Sequence, residues 1–352
     1  MSKKAETVTI GNKTIGKGNP CYVISEIGNN HDTNIKTAKA LIKASCKAGA
    51  DAVKFQTFKS LDIVNPKVPA NAYPGWNVAG RFKYWYQFVD TLAMPYEWYD
   101  ELIPYTRKLG LAFISTPASI EAAHLLAEKK ADAIKIASMD LNNTPFLKEV
   151  DGLGLPVILS TGMSTIEEIQ EAVSVFKKSP LILLHCVANY PLAYEDANLF
   201  NIRMLKDKFS FPVGFSNHAL GYDLDITAVA LGACVIEKHF TFDRSNPSVA
   251  EHHFSMQPDE MKQMVEKIRI IEKALGSYER KMTKSELQTR DLARRSITIK
   301  KDLRAGEKIA KQDLVVVRPG TGIAPKHVND VIGKKVKAAM KAFELLDWKD
   351  LE

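Results

Sequence analysis

Between residues 20 and 275 one cycle recurs: a short apolar strand, polar residues at its end, then a stretch of helical periodicity. The strands read as 21–27 (CYVISEI), 51–57 (DAVKFQT), 111–115 (LAFIS), 132–138 (DAIKIAS), 156–160 (PVILS), 181–186 (LILLHC), 212–216 (PVGFS) and 234–240 (CVIEKHF). Candidate helices include 33–48, 96–109, 119–129, 165–178, 222–232 and 258–275. Strands that alternate with helices pair in parallel, and eight such units predict an α/β fold, a (β/α)8 or TIM barrel. A doubly wound sheet is the alternative. Thr116-Pro117 reads as an N-cap with proline at the first helical position, and Ser164 to Glu167 as a capping box. Segment 58–95 is long for a strand-to-helix connection, which points to a functional lid.

After Gly276 the pattern changes. Residues 277–295 are charged and read as a linker, and 296–352 as a small β-rich domain, leaving 1–276 as the catalytic barrel. With 352 residues, 45% of them hydrophobic, the chain can bury a large core. No apolar run reaches the roughly 18 residues of a membrane span, and the polar N-terminus lacks a signal peptide's apolar stretch, so a cytoplasmic location is expected. The four cysteines form no CxxC pair and read as buried thiols. Lys and Glu are interspersed, and no nucleic-acid recognition motif appears, so the net charge of +7 suits a small anionic substrate better than nucleic acid.

The first strand runs into SEIGNNHD, residues 25–32, which crowds polar groups at the end of a core strand. At the C-terminal rim of a barrel such a cluster is the wall of a pocket. Period-2 alternation puts Lys54 with Gln56, Ser216 with His218, and Glu237 with His239, each pair on one face. His218 and His239 end neighbouring strands; two imidazoles there hold a divalent metal beside Glu26 or Glu237, or are hydrogen-bonded core histidines. Lys54 and Lys135 are inward candidates, where a lysine needs an anion; the alternative is a chain that snorkels outward. Thr116, Ser138, Ser160 and Ser216 add hydroxyls that suit phosphate or carboxylate.

As an ordered set, SEIGNNHD, VKFQTF, STP, IKIAS, STGMS, GFSNH and EKHF, then RRSITIKKDLRAGEKI and VVRPGTGI, resemble the sialic acid synthase family. The resemblance implies a TIM barrel with a C-terminal antifreeze-like (SAF) domain. It also implies condensation of phosphoenolpyruvate with an N-acylated mannosamine-type sugar, giving a nonulosonate and phosphate. A legionaminic or pseudaminic acid synthase acting on a diacetamido trideoxy hexose is the alternative, with another metal-dependent barrel aldolase behind it. It implies Mn²⁺, or Mg²⁺ or Co²⁺, on His218 and His239, with Glu26 transferring or orienting a proton. Lys54, Thr116, Lys135, Ser138, Ser160 and Ser216 match phosphoenolpyruvate positions. Gln56, Tyr190, Asp140, Glu237 and Glu251 match substrate-side positions, and Arg318 an arginine that reaches the sugar's acyl group in the other subunit of a domain-swapped homodimer. Asp140 stands for a longer glutamate, Glu251 and Asn217 for aspartates, and Ala188 for an asparagine common in neuraminate-forming relatives.

Overall fold

The computed structural model describes residues 6–72 and 80–352. Part of the long 58–95 segment, residues 73–79, lies outside them. The chain divides into two compact units, Met1–Gly276 and Ser277–Glu352.

The first unit opens with an antiparallel hairpin, β1 (Thr7–Ile10) and β2 (Lys13–Gly16). Eight parallel strands follow: β3 (Tyr22–Gly28), β4 (Ala52–Thr57), β5 (Ala112–Pro117), β6 (Ala133–Ile136), β7 (Val157–Ser160), β8 (Leu181–Cys186), β9 (Val213–Asn217) and β10 (Val235–His239). They close in sequence order, with β10 paired to β3, as the (β/α)8 reading requires.

Inward positions show why this barrel has a dry end and a wet end. Ile24, Ala52, Ile114, Ala133, Ile158, Leu184 and Val235 pack inside, over Val8, Ile10 and Ile15 of the hairpin. Two residues further along each strand, the same face carries Glu26, Lys54, Thr116, Lys135, Ser160, Cys186 and Glu237. Val53, Phe55, Phe113, Ile134, Leu159, Phe215 and Ile236 face the other way, into the helix layer. Gly214 occupies an inward position with no room for a side chain: a Cβ there would lie 2.5 Å from the Val235 carbonyl oxygen.

Caps fix the helices. Asn34 caps helix Ile35–Ala48, which ends on Gly49 at φ 86°. Two expected starts move. Pro117 belongs to β5, and Ser119 caps helix Ile120–Glu128, because the strand runs two residues beyond its apolar core. Thr165 and Glu168, not Ser164 and Glu167, form the capping box of helix Ile166–Val175. Helices Thr144–Gly152 and Phe200–Phe209 complete crossovers that the sequence reading left without one.

In the second unit, segment 277–295 carries helix Lys284–Ala293, opened by a Thr283–Glu286 capping box. Strands β11 (Ser296–Ile299) and β12 (Leu314–Val317) pair antiparallel over a small core that includes Ile297, Ile309, Val331 and Leu346. Among the described residues no helix is long and apolar enough to cross a membrane.

Candidate active site

Barrel closure brings four ionisable side chains from β3, β4, β6 and β10 onto one another. The Lys54 ammonium lies 2.8 Å from Glu26 Oε2 and 3.8 Å from Glu237 Oε1, and Lys135 Nζ lies 3.7 Å from that same Glu237 oxygen. All four are nearly fully buried. Unpaired charges there would be very costly, so the two glutamates neutralise the two lysines. Hydroxyls continue the cage. Lys54 donates to Thr116 Oγ1 at 3.3 Å, Lys135 to Ser160 Oγ at 2.6 Å, and Ser216 Oγ to Glu237 Oε1 at 2.9 Å.

The electrostatics follow from burial and pairing. Burial pushes the Glu26 carboxyl upward against the opposing pull of Lys54. Burial also acts on Glu237, but Lys135 and Lys54 together hold it down to about 2. Burial lowers Lys135. Glu237 Oε2 is buried without a hydrogen-bond partner.

Strand β6 ends at Ile136, and a 3-10 turn, Ser138–Asp140, carries Ser138 over the rim. Ser138, three residues after Lys135 and so of opposite parity along a strand, reaches the rim because the strand has already ended. Ser138 Oγ accepts the Gly162 amide at 3.0 Å. A Cβ on Gly162 would come within 2.8 Å of that oxygen, so glycine is needed for the approach. Asp140 Oδ2 is buried and unpartnered, and burial raises its carboxyl.

Beside the cage, His218 follows β9 and His239 ends β10, with ring centroids 5.5 Å apart. Tyr190 packs on His218 at 4.1 Å and Phe254 on His239 at 4.9 Å. His218 Nδ1 lies 3.0 Å from the Val187 carbonyl oxygen, and burial lowers the ring to about 3. The ring is therefore neutral, donates from Nδ1 and leaves Nε2 with a lone pair. His239 Nδ1 is buried without a hydrogen-bond partner. Two such imidazoles suit a divalent cation. Among the described residues no group of three or more His, Cys, Asp or Glu side chains is set to hold a metal.

Gln56 Nε2 donates to Glu251 Oε1 at 3.2 Å and lies 3.4 Å from Glu26 Oε1. Glu251 also accepts the Asn29 amide at 3.2 Å and sits 3.6 Å from His239 Nδ1. Burial would raise Glu251, but His239 and these donors hold it at about 2. Arg318 lies in the second unit, just after β12. Sequence reasoning gave Asn29 and Cys186 no role. Asn29 stood inside the quoted motif, whereas Cys186, inward on β8 beside Lys135 and Glu237, read as a buried thiol.

His31 takes no part in the cage. Its Nδ1 accepts the Thr33 amide at 3.0 Å, and its ring packs on Phe55 and Trp98. Burial lowers it to about 4, against the opposing pull of Glu251 and Asp32. The unfolded imidazole, at about 6.5, binds a proton that the folded one refuses. This contribution to stability is complete above pH about 6.5 and falls as pH drops toward 4, by up to about 3 kcal/mol. Urea unfolding at pH 7.5 and 4.5 should show a smaller acid loss for His31→Asn than for wild type. Equal losses would reject the assignment.

Against family models the chain matches the NeuB family over residues 41–280 and the SAF domain over residues 294–352. It is 40% identical over 349 residues to N,N'-diacetyllegionaminic acid synthase of Legionella pneumophila, covering 97% of this chain and 98% of that one. It is 35% identical over 337 residues to pseudaminic acid synthase of Campylobacter jejuni, covering 94% and 96%. Among solved structures, N-acetylneuraminic acid (sialic acid) synthetase from Leptospira borgpetersenii aligns with a TM-score of 0.72 at 34% identity, over 82% of this chain and 96% of that one.

Proposed function

This chain belongs to the NeuB family and carries a SAF domain, and from that premise we propose that it condenses phosphoenolpyruvate with an N-acylated mannosamine-type sugar. The product is a sialic-acid-like nonulosonate, and phosphate is released. The observation that carries this reading is the buried cage of Lys54, Lys135, Glu26 and Glu237 beside the paired histidines.

Lys54 and Lys135, with Thr116, Ser138, Ser160 and Ser216, bind the phosphate and carboxylate of phosphoenolpyruvate. The incoming anion takes over the two ammonium groups from the glutamates. C3 of the enol phosphate then bonds to the aldehyde carbon of the open-chain sugar. Water adds at C2, and C–O cleavage expels phosphate. Glu26, raised by burial and adjacent to Lys54, is suited to move a proton at the nascent alkoxide. His218 and His239 would hold a divalent ion, Mn²⁺ or alternatively Mg²⁺ or Co²⁺, which when bound acts as a Lewis acid on the aldehyde. Asp140, Tyr190 and Gln56 face the sugar; Arg318 reaches its acyl group from the other subunit of a domain-swapped homodimer. A cytoplasmic location belongs to the same reading.

A second reading makes the acceptor a diacetamido trideoxy hexose and the product a legionaminic- or pseudaminic-type acid. It is favoured by the 40% identity to the Legionella legionaminic acid synthase. The deciding experiment offers N-acetylmannosamine and the diacetamido trideoxy sugars with phosphoenolpyruvate and measures phosphate release. No release with any acceptor overturns the reading. Arg318→Ala should raise the acceptor KM about tenfold or more, the worth of one charged hydrogen bond. An unchanged KM for every acceptor rejects the contribution across subunits.

A further inference from the structure

We propose that Glu251 is a positioning residue for His239, setting the tautomer and tilt of that imidazole rather than binding sugar hydroxyls. This rests on His218 and His239 being the metal ligands.

Both oxygens of Glu251 are already engaged. Oε1 accepts Gln56 Nε2 at 3.2 Å and Asn29 Nδ2 at 3.3 Å, and Oε2 accepts the Asn29 backbone amide at 3.2 Å. The remaining near neighbour of Oε2 is His239 Nδ1 at 3.6 Å. That nitrogen is buried and has no hydrogen-bond partner. At 3.6 Å the contact is longer than a hydrogen bond, and contacts of this kind tighten when a site is loaded. A carboxylate facing Nδ1 requires the proton there and frees Nε2 for a cation.

The surroundings are built to hold this carboxylate still. Gly28 sits at φ +52°, and a Cβ on it would lie 2.3 Å from Glu251 Oε2, so the backbone of the first rim segment wraps the carboxylate directly. The loop bearing Glu251 is pinned on both sides. His252 Nδ1 pairs with Thr241 Oγ1 at 2.6 Å, and its Nε2 with Asp32 Oδ1 at 3.2 Å. Asn30 Nδ2 donates to Ser255 Oγ at 2.9 Å, and Ser255 Oγ to the Glu251 carbonyl at 2.5 Å. Asn29, Asn30 and Asp32 of the crowded motif therefore serve one loop and, through it, one histidine. Aspartate, about 1.5 Å shorter by one C–C bond, would reach His239 less well.

The test titrates metal-stripped wild-type, Glu251→Gln, Glu251→Asp and His218→Ala proteins with Mn²⁺, reading free Mn²⁺ by electron paramagnetic resonance. Losing a group that orients a ligand costs about 10–100-fold in affinity, so Glu251→Gln should fall in that range, with Glu251→Asp between it and wild type. At saturating Mn²⁺ the acceptor KM of Glu251→Gln should match wild type. Unchanged Mn²⁺ affinity in a folded Glu251→Gln protein, with a raised acceptor KM, overturns the proposal. Should that variant not fold, an affinity of Glu251→Asp equal to wild type overturns it as well. If wild type binds no Mn²⁺, or His218→Ala binds it equally well, the metal site fails and this role with it. Loss in His218→Ala alone rejects only the role of Glu251.

Discussion

Replacing Lys54 with methionine should weaken phosphoenolpyruvate binding by roughly 30- to 4,000-fold, because truncating one member of a buried, hydrogen-bonded charge pair costs about 2–5 kcal/mol. Methionine keeps most of the volume, so the loss is one of charge rather than packing. The same change takes from buried Glu26 its nearest cation, the Lys54 ammonium at 2.8 Å. Breaking a buried pair in this way destabilises by about 3–5 kcal/mol while the carboxylate stays ionised. Burial already raises Glu26, so in the variant it escapes by taking up a proton. A carboxyl raised in the folded state binds more protons there than in the unfolded chain, so stability falls as pH rises between the two values. The stability deficit of Lys54→Met should therefore grow from pH 5 to pH 8. Adding Glu26→Gln should restore much of the stability and none of the affinity. Calorimetric titration with phosphoenolpyruvate and urea melts across pH read the two effects separately. Wild-type affinity in Lys54→Met would end the anion-binding assignment.

That cage also marks how far the sequence can be read. On β4 and β10 the inward face was legible from period 2: Lys54 alternates with Val53 and Phe55, and Glu237 with Ile236, which pack outward; on the all-apolar runs of β7 and β8 it was not. The charge balance was not legible. Glu237 meets Lys54 and Lys135 only because β10 closes onto β3 and the register sets all three at one height, and no local pattern encodes closure. The N-terminal hairpin escaped notice because Val8, Ile10 and Ile15 are few among polar neighbours, and their burial under the barrel is tertiary. Helix starts slipped where two capping residues stood side by side, as Ser164 and Thr165 do, and only the helix phase chooses between them. His31 and Asn29 share one motif and do different work. His31 is packed and neutral, while Asn29 holds the loop that faces the histidine pair.

Removing either member of that pair is expected to abolish metal-dependent turnover. His218→Ala and His239→Ala should each lose more than about 100-fold, since altering a group that merely orients a ligand already costs about 10–100-fold. The geometry makes the two variants unequal in stability. His218 donates its Nδ1–H to the half-buried Val187 carbonyl, so its removal loses one hydrogen bond, worth about 0.5–1.5 kcal/mol. His239 has no such bond at Nδ1, so His239→Ala should fold nearer to wild type and report the chemistry more cleanly. A histidine outside the pair supplies the control. His185 stacks on Phe215 at 5.5 Å and bonds the Ala197 carbonyl from the outer face of β8. His185→Ala should lower the melting temperature while leaving the Mn²⁺ dependence of phosphate release where it was. Turnover at the wild-type rate in a folded His218→Ala or His239→Ala protein, at any level of added metal, would show that the two imidazoles are core residues and that cation chemistry must be sought elsewhere on the rim.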